Sequence, residues 1–179
     1  MASLNDNLFT RLVGCSRGHH FTGTLKTQWG LMQASLSERG IDRLTFNATY
    51  SAQPTDDPVF KEAFMKWLTS FQKRSAAAQW SYFAATGTDF QKSVWQALLE
   101  VPFGTQLHYQ DIAKKIRKPK AARAVGSAIA ANPIAVLIPC HRIVPSSGAT
   151  GNYRWGRDRK RVLLDAERAH GSDLCKLFQ

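Results

Sequence analysis

Cysteine is scarce in this chain. Cys15, Cys140 and Cys175 are the only three in 179 residues. Their spacing makes neither a disulfide framework nor a metal-ligand pattern, so no metal or other cofactor is expected, and a reducing, cytoplasmic compartment is. Long apolar runs are also missing. None approaches the ~20 residues of a membrane-spanning helix, and Met1–Thr10 has no apolar signal core. No membrane partner is therefore expected. Acidic residues are few, 13 against 24 Lys and Arg, for a formal charge of +11. The excess is uneven: 15 basic and 7 acidic residues from Gly87 onward, 9 and 6 before it. Such a field attracts a polyanion, although a solvated basic surface with no partner gives the same count. There is no internal repeat. What is plentiful is apolar side chain: at 44% hydrophobic the chain can pack a core and is not disordered.

Residues 1–20 show little periodicity and read as irregular. Thr22–Thr27, Leu31–Leu36 and Ile41–Phe46 are short strand-like runs separated by Trp29-Gly30 and Ser37–Gly40, which predicts a small antiparallel sheet. Ala52–Asp57 reads as a loop. Pro58–Phe71 has helical spacing with a wide apolar face. Gln72–Gln79 reads as a linker and Trp80–Ala84 as a short strand. Thr88 with Gln91 forms a capping-box signal, and Phe90, Val94, Trp95 and Leu98 then share a helical face. Tyr109–Ile116 and Ala121–Ala131 are two short helices joined by the basic turn Arg117–Lys120, a helix-turn-helix pattern. The expected fold is mixed α/β (α+β) in two domains. Residues 1–85 form a small supporting α/β domain, and 86–179 a mostly helical winged helix-turn-helix domain.

The second helix of the pair is built from small residues: Ala121, Ala122, Ala124 and Gly126. They suit close helix packing, or entry into a narrow nucleic-acid groove with Arg123 projecting among them. Ala135–Ile138 reads as a short apolar strand that delivers Pro139-Cys140-His141-Arg142. A thiol is inert until it ionises, and a neighbouring imidazole oriented by a carboxylate is a common activator. Glu167, in a helix over Asp158–Ala169 with Val162, Leu163 and Ala166 inward, is a candidate for that carboxylate. Asn132-Pro133 marks a turn, Ser146–Gly151 a loop, and Tyr153–Gly156 aromatic and basic surface near the same place. Cys15, His19 and His20 offer two or three metal ligands with no clear fourth.

In order and spacing, Thr88–Gln91 with Val94-Trp95, Tyr109-Gln110, Lys118–Gly126, Asn132-Pro133, Ile138–Arg142 and Gly151–Tyr153 closely resemble the O6-alkylguanine-DNA alkyltransferases (methylated-DNA–protein-cysteine methyltransferases). The resemblance is strong over about 85–179 and weak over 22–46. It implies repair of double-stranded DNA by a monomer, through irreversible, single-turnover transfer of the alkyl group of O6-alkylguanine, and of O4-alkylthymine, to Cys140. It implies that His141, acting through a water and oriented by Glu167, takes the thiol proton. Tyr109 would donate to N3 of the leaving guanine, and Asn132 would organise the site. Arg123 would fill the space of a flipped-out nucleotide. Ala121, Ala122, Ala124 and Gly126 would face the minor groove. Tyr153, Ile143 and Arg154 would wall the substrate pocket.

Overall fold

The computed structural model describes residues 21–37, 39–46, 58–171 and 173–178. The expected irregular segment 1–20, the loop 52–57 and the Cys15, His19 and His20 group lie outside them. The chain divides into two units, residues 1–85 with 174–179, and residues 86–173. Residues 174–178, assigned from sequence to the second domain, thus group with the first unit.

In the first unit, β1 (Phe21–Thr27), β2 (Gly30–Ser37) and β3 (Gly40–Phe46) form an antiparallel meander. Alternation puts Met32, Ala34 and Leu36 of β2 on the buried face. Gly40 is obligatory at its turn: φ is +125°, and a Cβ there would collide with the Tyr82 carbonyl. Helix α1 (Pro58–Phe71) buries Phe60, Ala63, Phe64, Trp67, Leu68 and Phe71, as its spacing predicts. The Leu174–Leu177 3-10 turn packs against α1, and Phe178 meets Phe64 at 5.2 Å between ring centroids.

Two expectations change in this unit. Part of the supposed linker is a helix, α2 (Ala76–Trp80), because Ser75 caps it by accepting from Ala78 N–H and three alanines follow. The strand expected at Trp80–Ala84 shrinks to a single parallel bridge, Phe83 to Ile41.

The second unit opens with α3 (Asp89–Leu99), held by the expected capping box: Gln91 N–H donates to Thr88 Oγ1 at 3.2 Å, and Thr88 N–H to Gln91 Oε1 at 2.9 Å. Buried Trp95 donates from Nε1 to the Ala128 carbonyl at 2.8 Å, tying α3 to α5 (Ala122–Ala130). Before α5 comes α4 (Tyr109–Lys115). The turn between them puts Arg117 at φ +58°, and Gln110 Nε2 donates to the Pro119 carbonyl at 2.7 Å. Two very short strands, β4 (Leu107–His108) and β5 (Ile143–Val144), pair in parallel. β4 runs directly into Tyr109 and β5 directly out of Arg142, so this pairing brings the start of α4 to the Cys-His-Arg segment. Helix α6 (Arg157–His170) closes the unit. Its buried stripe is Lys160, Leu163, Leu164, Ala166 and Glu167, a helical repeat. Val162, expected inward, falls off that stripe and is 42% exposed.

The strand expected over Ala135–Ile138 is a tight turn. Leu137 N–H donates to Ala135 O and Ile138 N–H to Ile134 O, while Val136 adopts φ +67°. All four side chains are buried, so the apolar run reports burial rather than extension. Among the described residues no helix is long and apolar enough to cross a membrane.

Candidate active site

The turn before Cys140 is wound around one side chain. Asn132 is fully buried. Its Oδ1 accepts from Ile134 N–H at 2.9 Å. Its Nδ2 donates to the carbonyls of Ile134 and Ile138 and to Cys140 Sγ, at 3.1, 3.0 and 3.1 Å. One amide therefore satisfies the interior polar groups of an otherwise apolar turn and places the sulfur. Cys140 begins a 3-10 turn, Cys140–Arg142, and is 3% exposed. Burial pushes its thiol up to about 11, against hydrogen bonding from Asn132 and the charge of Lys160, which favour the thiolate. At rest the group is a thiol.

Next in the chain to the sulfur, His141 and Arg142 meet Glu167 in a buried cluster. His141 Nε2 is 2.8 Å from Glu167 Oε1. Arg142 donates from Nε to both carboxylate oxygens at 3.0 Å and from NH2 to Oε1 at 2.8 Å. Its NH1 donates to the Val101 carbonyl at 2.6 Å, and its guanidinium covers the Phe103 ring. Gly104 N–H donates to Glu167 Oε2 at 3.0 Å. Burial alone would raise the Glu167 carboxyl, but the hydrogen bonds and charges of His141 and Arg142 outweigh it and hold it at about 2. The carboxylate is therefore an acceptor, so His141 Nε2 carries the hydrogen and Nδ1 the free lone pair. Burial keeps the imidazole neutral by lowering its pKa. Nδ1 is buried and has no hydrogen-bond partner among the described residues. A neutral imidazole with a fixed tautomer and an available lone pair has the chemistry of a general base.

Cys140 opens onto a cavity of about 430 Å³, lined also by Tyr109, Arg123, Gly126, Ser127, Ile129, Ala130, Asn152, Tyr153 and Arg154. A neighbouring groove shares Tyr109, Arg123 and Gly126 and adds His108, Gln110, Ala122 and Ser146. Burial and then the Cys140 charge raise the Tyr109 phenol, which stays a donor. The Tyr153 hydroxyl is buried and lies close enough to Cys140 for each to shift the other's ionisation. Arg154 reaches the Asn132 carbonyl with NH1 at 3.5 Å and stands over the Trp155 ring.

The structure thus gathers Cys140, His141, Glu167, Asn132, Tyr109, Tyr153, Arg154, Arg123 and Gly126 at one place. Ala121 caps α5, Ala122 lines the adjoining groove, and Ala124 is exposed on α5 but lines neither space. Ile143 does not line the cavity; its side chain is in the core, and its carbonyl accepts from Lys160 Nζ at 2.6 Å. Sequence reasoning gave no role to Arg142 or Lys160. The signal was present for Lys160, which stands seven residues before Glu167 and so on the same helical face.

Among known proteins, the family model described as 6-O-methylguanine DNA methyltransferase, DNA binding domain, matches residues 89–169. The inducible methylated-DNA–protein-cysteine methyltransferase of Bacillus subtilis is 48% identical over 88 residues, 49% of each chain. The bifunctional transcriptional activator/DNA repair enzyme Ada of Escherichia coli is 54% identical over 81 residues, 45% of this chain and 23% of its own. The chain spans about half, or less, of the length of these curated relatives. The crystal structure of Mycobacterium tuberculosis OGT in complex with DNA superposes with a TM-score of 0.65 at 32% identity, over 88% of this chain and 99% of that one.

Proposed function

We propose that this chain, which belongs to the 6-O-methylguanine DNA methyltransferase family, repairs O6-alkylguanine, and O4-alkylthymine, in double-stranded DNA by moving the alkyl group onto Cys140. The observation that carries this reading is a buried thiol opening onto a cavity, backed by a neutral imidazole whose base nitrogen has no partner among the described residues. The thiol proton passes through a water to His141 Nδ1, and Glu167 steadies the resulting imidazolium. The sulfur then attacks the alkyl carbon in line: an S–C bond forms, the C–O6 bond breaks, and its electron pair leaves with guanine. Guanine regains one proton, so thiol plus alkylguanine gives thioether plus guanine. The Tyr109 hydroxyl, held protonated, donates to N3 as charge develops there.

Small residues on α5 admit the helix to the minor groove, and Arg123 takes the place of the extruded nucleotide. Tyr153 and Arg154 wall the pocket, and Asn132 holds the sulfur in place. A thioether does not hydrolyse, and among the described residues no second thiol lines the cavity, so each molecule acts once. The protein works as a monomer in the cytoplasm.

The test is the mass of the protein after incubation with a duplex carrying O6-methylguanine. We expect a gain of one methyl group, absent in Cys140→Ala. An unchanged mass, with the methyl still on the DNA, overturns the reading.

A further inference from the structure

Lys160 is 1% exposed and among the bulkiest fully buried side chains of the protein. Its Nζ donates to the Ile143 carbonyl at 2.6 Å, and among the described residues it meets no carboxylate. Burying an ammonium against one neutral acceptor is costly, and an apolar side chain would be more stable there. Glu167, on the same face of α6, is committed to His141, Arg142 and Gly104. Gly151 packs close on another side: a Cβ there would stand 3.6 Å from Nζ and 2.6 Å from the Pro145 ring. The titratable groups that feel this charge are Cys140 and His141, both in the 3-10 turn. The Tyr153 phenol, also near Cys140, stays protonated.

We propose that Lys160 is the positioning charge for the Cys140 thiolate: its ammonium, anchored on the Ile143 carbonyl beside the reactive turn, offsets the negative charge that appears on sulfur when the thiol proton leaves. This rests on the alkyl-transfer reading. In the resting thiol the ammonium has, among the described residues, only the carbonyl. As the proton reaches His141, the field of the ammonium acts on the sulfur anion in a low-dielectric setting, where that attraction is large. Once the S–C bond forms, sulfur is neutral and the attraction is gone. Burial holds the Lys160 ammonium down to about 8, against the pull of Cys140. It is charged near neutral pH and loses its charge above that value, so transfer acquires an alkaline limit that an isolated thiol would not show.

The experiment is the single-turnover rate of methyl transfer from an O6-methylguanine duplex between pH 6 and 10, at saturating protein, for wild type, Lys160→Gln and Lys160→Arg. Peptide-resolved labelling of Cys140 by iodoacetamide is measured over the same range. We expect the wild-type rate to fall above about pH 8. Lys160→Gln should lose at least about tenfold at pH 7.5, one pKa unit of thiolate stability, and should show no fall above about pH 8. Lys160→Arg, charged throughout, should keep most of the rate and show no alkaline fall. A Lys160→Gln rate equal to wild type, or an alkaline fall that persists in Lys160→Arg, overturns the proposal. Should Lys160→Gln fail to fold by circular dichroism, Lys160→Arg decides alone. If wild type takes no methyl from DNA, the function above fails, and iodoacetamide labelling tests the Lys160–Cys140 coupling without it: loss of thiolate reactivity in Lys160→Gln supports the coupling, and unchanged labelling overturns it.

Discussion

On the function proposed above, Cys140 is kept unreactive by burial and made reactive by its neighbours, and each neighbour has a measurable share. His141 stays neutral below its ordinary value of 6.5 because burial disfavours the imidazolium. The base is therefore available on the acid side of neutrality: transfer rates should be flat from pH 7.5 down to 6.5 and decline only below that. A decline centred at 6.5 or above in stopped-time assays contradicts this. Glu167 has a stability consequence. Its carboxyl sits at about 2 in the fold against 4.5 as an ordinary glutamate, so the unfolded chain binds the extra proton between those values. Stability should be full above about pH 5 and lost as pH falls towards 2, by on the order of 3 kcal/mol from this group. In Glu167→Gln, urea melts should lack that part of the acid dependence. Arg142→Ala leaves the carboxylate buried with histidine alone, and should cost about 3–5 kcal/mol in the same melts. An effect below 1 kcal/mol contradicts the burial of the pair.

Among the elements, those with a strong local signal were legible. Pro58–Phe71 repeats apolar residues over four turns, and Thr88 with Gln91 states a helix start in chemistry that any reader can recognise. Thr88→Ala should accordingly cost about 1 kcal/mol by thermal or urea melting. β4 and β5 were not legible, because two-residue strands exist only through each other. Nor was the turn over Ala135–Ile138: its shape is dictated by the Asn132 amide, and apolar residues buried on every side look alike in strand or turn. The candidate pair Cys140 and His141 was visible from adjacency. The Arg142 clamp on Glu167, 25 residues away, was not, since nothing local marks an arginine as buried. Helix α5 gives the test at this scale. Gly126 sits in its interior, where a Cβ would meet the Tyr109 ring at an ordinary 3.7 Å. Gly126→Ala should therefore stabilise the protein by about 0.5–1 kcal/mol. A destabilised variant means that α5 and α4 pack more tightly than described.

Across the whole molecule, a formal charge of +11 sets how DNA would be met on the proposed function. Lys114, Lys115, Arg117, Lys118 and Arg123 belong to or flank the helix-turn-helix, and each phosphate they neutralise releases counterions. Duplex affinity in fluorescence titrations should fall linearly in log–log form with salt, while iodoacetamide labelling of Cys140 stays constant. Salt-independent binding would mean that the basic excess has no part in recognition.

The most direct measurement is a titration with excess duplex tritiated on the O6-methyl group, followed by proteolysis and mapping of the label. We expect one equivalent per chain, all of it in the peptide containing Cys140, with no further release of methyl from DNA however long the incubation. Label on another residue, or methyl loss that continues beyond one equivalent, contradicts a single sulfur that captures its carbon for good.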